Sequence, residues 1–341
     1  MKENFRAWSI NIDDFHKQPT EADKLRFLLN FAVLAPSSHN SQPWRFEVEE
    51  NEIKIFLEPT RRLVDSDKNY RQAYISLGCA ITNIVTAANY YGFSCSVECC
   101  LDQRDEYLAA RITITKSSAS VVLDKNQFIF SISKRVTNRN KYEDKTPPKS
   151  FMQEIKCFSA DDLEICVITD QAQKGCLADI AIAAGITAME DKKFRLELSQ
   201  YVKSNIPLSS VCMPAFGMGI PILVSFVAPT LIKYLNMNRL SRKSDEALLK
   251  RHTPVFVVIA TREDNPINWI KTGQVYERIA LFSTHEGLTT AMWAAPIQIG
   301  EYYREFQKIL QTGFRPQAFF RLGYAGRETP HSPRLTSTNW M

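Results

Sequence analysis

The segment Ala35-Pro36-Ser37-Ser38-His39-Asn40-Ser41-Gln42-Pro43-Trp44 concentrates hydroxyls, an amide pair and backbone donors in one turn. Asn40 and Gln42 each offer donors and acceptors. That combination suits the edge of a flat heterocycle with alternating donors and acceptors. Pro36 and Pro43 stiffen the loop, so less entropy is lost when something binds to it. The same residue types also make an ordinary cap-and-turn cluster, and the segment on its own is read both ways. A second cluster is Lys134-Arg135-Val136-Thr137-Asn138-Arg139-Asn140-Lys141. In a locally extended chain Arg135, Thr137 and Arg139 point the same way. Two guanidiniums and a hydroxyl then make a phosphate clamp; the plain alternative is a solvated basic loop. A third basic set, Arg321, Arg327 and Arg334, follows a strand into a Gly/Pro-rich tail, with the same two readings.

Other chemistries are poorly supported. The chain has no GxGxxG, no GxxxxGK[ST] and no GxSxG sequence. Ser38 and His39 are neighbours and do not face each other as a nucleophile and base would. His285 lies inside a helix and reads as a structural histidine. The 8 cysteines fall at irregular spacings, with no CxxC pair, so neither a zinc site nor a disulfide framework is expected. No catalytic side chain and no metal ligand is assigned. Free thiols and an N-terminus without an apolar leader favour a cytoplasmic location.

These loops need elements to hold them. Thr20-Glu21-Ala22-Asp23 resembles a capping box, and Leu25, Leu28, Leu29, Ala32 and Val33 follow at helical spacing up to Pro36. Trp44, Phe46 and Val48, then Ile53, Ile55 and Leu57, alternate as a hairpin. A helix is expected from Arg71 to Tyr91, with Gly92 at its end, and a strand near Arg111 to Thr115. Further strands are expected at Leu163 to Thr169, Pro254 to Thr261 and Ala318 to Tyr324. A helix from Trp269 to Glu286 stops at Gly287. Gly78 precedes Gly92 by 14 residues, and Gly273 precedes Gly287 by 14. A small residue early in a buried helix permits close approach of another backbone. The two glycine pairs read as two copies of one unit, near residues 1–125 and 126–341, or as a coincidence between two amphipathic helices.

Composition bounds the rest. The 341 residues are 45% hydrophobic and 23% charged, which is globular. An excess of 42 basic over 37 acidic residues is too small for a nucleic-acid footprint, and no nucleic-acid partner is expected. From Val211 to Leu235 the chain is apolar over a length that could span a bilayer. Pro214, Pro221 and Pro229 interrupt it, and Gly217 and Gly219 loosen it further. A membrane span is not expected there; the segment reads as a broken helical excursion that covers something apolar.

The run APSSHNSQPWRF resembles the flavin-contacting loop of the nitroreductase superfamily. RVTNR is similar to that family's phosphate motif. HEGLTTAMWAAPI resembles the end of its dimer helix and its flavin-covering Pro-Ile turn, and RLGY with the later SPR resembles its closing strand and basic residue. Each motif occurs once, split between the two halves, and Ser9 to Phe15, the counterpart of the arginine motif, has no arginine. The chain thus resembles the double-length Acg-like subgroup. The resemblance implies an α+β, layered α/β/α fold with two pseudo-symmetric halves, packed as one unit into an intrachain pseudo-dimer that is a monomer in solution. It implies one FMN between the halves. Ser37, Ser38, Asn40 and Gln42 would contact the ring edge or ribityl chain. Arg135, Thr137, Arg139 and Arg334 would hold the phosphate, and Pro296 and Ile297 would bound one ring face. The implied activity is two-electron transfer from NAD(P)H through FMN to a small acceptor such as a nitroaromatic or quinone. A lid-like segment, 207–240, would make a flavin-sequestering protein the alternative.

Overall fold

The computed structural model describes residues 3–99, 107–117, 127–235 and 238–339. In chain order its elements are α1 (Glu21–Ala32), β1 (Trp44–Glu49), β2 (Glu52–Leu57), α2 (Arg71–Tyr90), β3 (Phe93–Cys99), β4 (Leu108–Lys116), α3 (Ile129–Ile132), α4 (Lys149–Lys156), β5 (Leu163–Ile168), α5 (Gln171–Glu190) and α6 (Lys192–Tyr201). The chain continues through β6 (Val202–Lys203), β7 (Met213–Pro214), α7 (Ile222–Ser225), α8 (Ala228–Tyr234), α9 (Asn238–Glu246), β8 (Val255–Thr261), α10 (Pro266–His285), β9 (Thr289–Met292), α11 (Ala295–Gln298), α12 (Tyr302–Leu310) and β10 (Arg315–Gly323).

The first helix starts as its sequence predicts: the Thr20 side chain accepts from the Asp23 backbone N–H and caps α1. Gly92 and Gly287 follow α2 and α10 at φ 80° and 71°, a backbone region that glycine enters without steric cost. The strand expected at Arg111 to Thr115 is the middle of β4. Helices α5, α6 and α12 and strands β3 and β9 carried no sequence expectation.

Two four-stranded sheets result, ordered β1-β2-β4-β3 and β5-β8-β10-β9. Their named pairings are antiparallel. Within each sheet the first two strands pair, a long helix leads to the third, and the fourth lies between the second and third. The long helices are α2 in one half and α10 in the other. The fold is therefore the pseudo-symmetric α+β pair expected from the sequence. One difference separates the halves: β1 and β2 are joined by a tight turn, whereas residues 169–254 intervene between β5 and β8. The expected boundary between residues 125 and 126 lies outside the described residues.

Helices α2 and α10 pack across the axis that relates the halves. A Cβ placed on Gly78 would lie 2.1 Å from the Ile270 carbonyl oxygen, and one on Gly273 would lie 1.9 Å from the Ile75 carbonyl oxygen. Ile270 is three residues before Gly273, and Ile75 is three before Gly78. The contact is thus self-complementary, as in a two-fold dimer interface. The main hydrophobic core runs through both halves, joining Leu28, Trp44 and Ile84 of the first to Ile259, Ile279 and Phe320 of the second. The C-terminal tail then returns to the first half: Leu335 N–H donates to Gln42 Oε1 at 3.0 Å, and Ser337 donates to Asn30 at 2.7 Å.

Candidate functional site

A cavity of about 810 Å³ opens between the halves. This lies within the roughly 300–1,000 Å³ usual for small-molecule and cofactor sites. Ser37, Ser38, Asn40, Arg135, Thr137, Arg139 and Arg334 all line it. The loop after α1, the segment before α4 and the C-terminal tail therefore meet at one place, as the sequence motifs require.

The roles inside this set differ from the sequence expectation. Asn40 Nδ2 donates to the carbonyls of Cys212 and Pro333, each at 2.8 Å, and its Oδ1 accepts from Arg334. Arg334 also donates to Pro333 O at 3.0 Å and Ala35 O at 3.3 Å. These two residues hold each other, so neither side chain is free for a ring edge or a phosphate. Gln42 is fully buried, bonds Ser210 O and Leu335 N–H, and does not line the cavity. His39, Asn40 and Gln42 all have positive φ, near 50–57°. The loop is held in this strained form by those bonds.

The expected clamp of Arg135, Thr137 and Arg139 is also corrected. Arg135 lies 3.1 Å from Glu277 in a buried ion pair and donates to Leu34 O at 3.1 Å. It ties the second half to the first. Arg139 is the free member: its guanidinium lines the cavity and has no hydrogen-bond or ion-pair partner among the described residues. Burial is the main cause pushing its pKa down. A partly desolvated, unpartnered guanidinium is costly unless a ligand completes it. Pro296 and Ile297 do not line the cavity either: α11 turns them away, and Ile297 packs in a core cluster behind the wall. Ala294, Ala295 and Gln298 form that wall.

The sequence reading missed Gln72 and Ser76 on α2. Gln72 is buried and lines the cavity, and its side-chain amide has no hydrogen-bond partner among the described residues. Gln72, Ser76 and Cys79 lie at helical spacing on one face of α2, a signal that was legible. Arg321, one of the three tail arginines, is fully buried away from the cavity; it donates to Asn140 O at 2.8 Å and lies over the Tyr142 ring. It fixes the loop that carries Arg139.

The insertion roofs the cavity with Met213, Phe216, Ile220, Val224, Leu231 and Ile232. The apolar stretch thus covers something, as expected. Among the described residues no helix is long and apolar enough to cross a membrane.

Two imidazoles face the cavity. His331 stacks on Trp8 with ring centroids 3.9 Å apart. Burial lowers its pKa to about 4, and the charges of Arg135 and Arg334 add to the shift. His39 is likewise lowered to about 4, by burial and then by Arg139. In the unfolded chain each takes up its proton near pH 6.5, so both withdraw stability as pH falls from there toward 4. Asp245, raised to about 6 by burial, works in the opposite direction. A His331→Gln chain is expected to lose less stability between those pH values than the wild type in denaturant titrations. Equal losses would contradict the assignment.

Residues 8–88 match the family model described as "Putative TM nitroreductase". Two Mycobacterium tuberculosis H37Rv proteins align over most of their lengths. "Putative NAD(P)H nitroreductase Rv3131" is 23% identical over 330 residues, covering 89% of this chain and 86% of its own. "Putative NAD(P)H nitroreductase acg" is 23% identical over 321 residues, covering 89% of each. A crystal structure of a "putative nitroreductase" from Anabaena variabilis superposes at TM-score 0.52 with 9% identity, covering 93% of this chain and 91% of its own. Within the first half, residues 8–88 are thus similar to nitroreductase-type domains. The whole chain resembles the double-length, Acg-like relatives, as its motifs imply.

Proposed function

We propose that this chain is an FMN-dependent NAD(P)H oxidoreductase of the nitroreductase type, acting on a small acceptor such as a nitroaromatic or quinone. One observation carries the reading: the buried Gln72 amide and the half-buried Arg139 guanidinium, neither with a hydrogen-bond partner among the described residues, line the same interhalf cavity. A guanidinium suits a phosphate, and an amide suits the heteroatom edge of a flavin ring. The residues therefore fit FMN. When bound, FMN supplies the two-electron chemistry, and the chain positions it and shapes its surroundings.

Each wall has a part in that task. Arg139 receives the phosphate, with the Thr137, Ser37 and Ser38 hydroxyls at hand. Gln72 and Ser76 face the ring. Asn40, Gln42, Arg135 and Arg334 act one step back, locking the loops through Cys212, Leu34, Ala35 and Glu277. No side chain is needed as an acid or base, since water can supply protons. The two halves, placed near 1–125 and 126–341, form one such site. In the second half the loop between α4 and β5, residues 157–162, has no asparagine or glutamine. In the first half, Phe15 stacks on Tyr91 within the segment that replaces the arginine motif.

The apolar roof favours a second reading, a protein that stores flavin with little turnover. Two measurements decide. The purified protein is expected to be yellow with one FMN per chain; protein that stays apo in excess FMN contradicts both readings. Anaerobic mixing with NADPH or NADH is expected to bleach the flavin within seconds. Flavin that stays oxidised supports storage.

A further inference from the structure

We propose that the outer face of the cavity roof docks on an anionic phospholipid surface. The inner side of this segment packs down through Ser225, Ala228 and Ile232, which are buried. Its other side is apolar and exposed: Leu208 is 92% exposed, Leu223 82%, Tyr234 68% and Phe226 59%. Scattered surface apolar residues are ordinary, but a run with five of the six residues from 222 to 227 exposed and apolar marks an interaction surface.

Charge identifies the partner. Residues 198–244 contain Lys203, Lys233, Arg239, Arg242 and Lys243 and no aspartate or glutamate. The chain as a whole has 42 basic and 37 acidic residues, so its entire positive excess lies in this segment. Apolar side chains with an interfacial tyrosine, flanked by cations, match a lipid headgroup boundary. A second copy is a poor occupant, because a segment with five basic and no acidic residues offers its own copy no opposite charge to pair with. Helices α7 and α8 have four and seven residues, so they can lie in the interface but not span it. Val224 and Leu231 line the cavity from the same segment, so docking sets the roof of the site against the lipid. Docking by this outer face requires no flavin in the cavity.

Co-sedimentation with phosphatidylcholine vesicles, with and without phosphatidylglycerol, tests it. The full-length protein is expected to pellet with the anionic vesicles, to be released as salt rises, and to stay soluble with pure phosphatidylcholine. The double variant L223D/F226D changes two exposed residues outside the cavity wall, so its melting curve should match the wild type. Its partitioning is expected to fall about tenfold or more, and Lys233→Glu should weaken binding further at low salt. The proposal is overturned if the wild type ignores anionic vesicles, or if the double variant binds them equally well. It is also overturned if sedimentation velocity shows a dimer that the double variant dissociates while no vesicle binding is seen.

Discussion

Replacing Gly273 with valine is expected to abolish the native fold, and alanine to destabilise it severely. Even the alanine Cβ would lie 1.9 Å from the Ile75 carbonyl oxygen, with Gly78 Cα at 3.0 Å on the same side. Both obstacles are backbone in the middle of a buried helix, so no rotamer change relieves the clash. Helices α2 and α10 must separate, and the core they share with both sheets must open with them. Overpacking usually costs about 1–3 kcal/mol, and this backbone contact should exceed the upper end. The symmetric change, Gly78→Ala, meets Ile270 O at 2.1 Å and should behave alike. Once either alanine has pushed the helices apart, the second should cost little. The double variant is therefore expected to be far less destabilised than the sum of the singles. Urea unfolding of the four proteins checks this; strictly additive losses would mean the two glycines do not meet at one crossing.

Arg139→Ala is expected to weaken FMN binding while leaving the fold intact. A hydrogen bond to a charged group is worth on the order of 1.5–3 kcal/mol, or roughly ten- to hundredfold in affinity. The flavin-free variant should also melt no lower than the wild type, because it removes a partly desolvated charge that no described protein group completes. Arg135→Ala should behave differently. It strands Glu277, which is fully buried, and breaks the link to Leu34 O. Loss of one partner of a buried pair costs about 3–5 kcal/mol, so that variant should lose stability before affinity can be read. Two arginines that look equivalent in the sequence are thereby separated by experiment.

What could be read without coordinates was local. Thr20 caps α1, Gly92 and Gly287 end the long helices, and the strands β1 and β2 alternate as patterned. The two glycine pairs, read as a repeat or a coincidence, include Gly78 and Gly273, which the structure places at the crossing of α2 and α10. The motifs around Asn40 and Arg139 located the cavity, but their inner bookkeeping was out of reach. Asn40 and Arg334 are 294 residues apart in the chain, and their bond exists only once the tail has returned to the first half. Spacing could not show that Arg135 faces Glu277 while Arg139 faces space. Nor could it show that residues 169–254 interrupt a hairpin equivalent to the tight turn between β1 and β2. That insertion carries its own helices, whose polar and apolar positions serve the roof on one side and the surface on the other, so its pattern is not that of an ordinary amphipathic helix. Pro296 and Ile297 were expected in a turn that bounds the ring, and instead sit in the short helix α11, turned away from the cavity.

Titration calorimetry of flavin-free protein with FMN and with riboflavin, in wild type and Arg139→Ala, reads the phosphate contact directly, since riboflavin lacks the phosphate. The wild type should prefer FMN, at one site per chain, and the variant should lose that preference while holding riboflavin as before. A variant that keeps the full preference, or a wild type that binds neither flavin, would contradict the site.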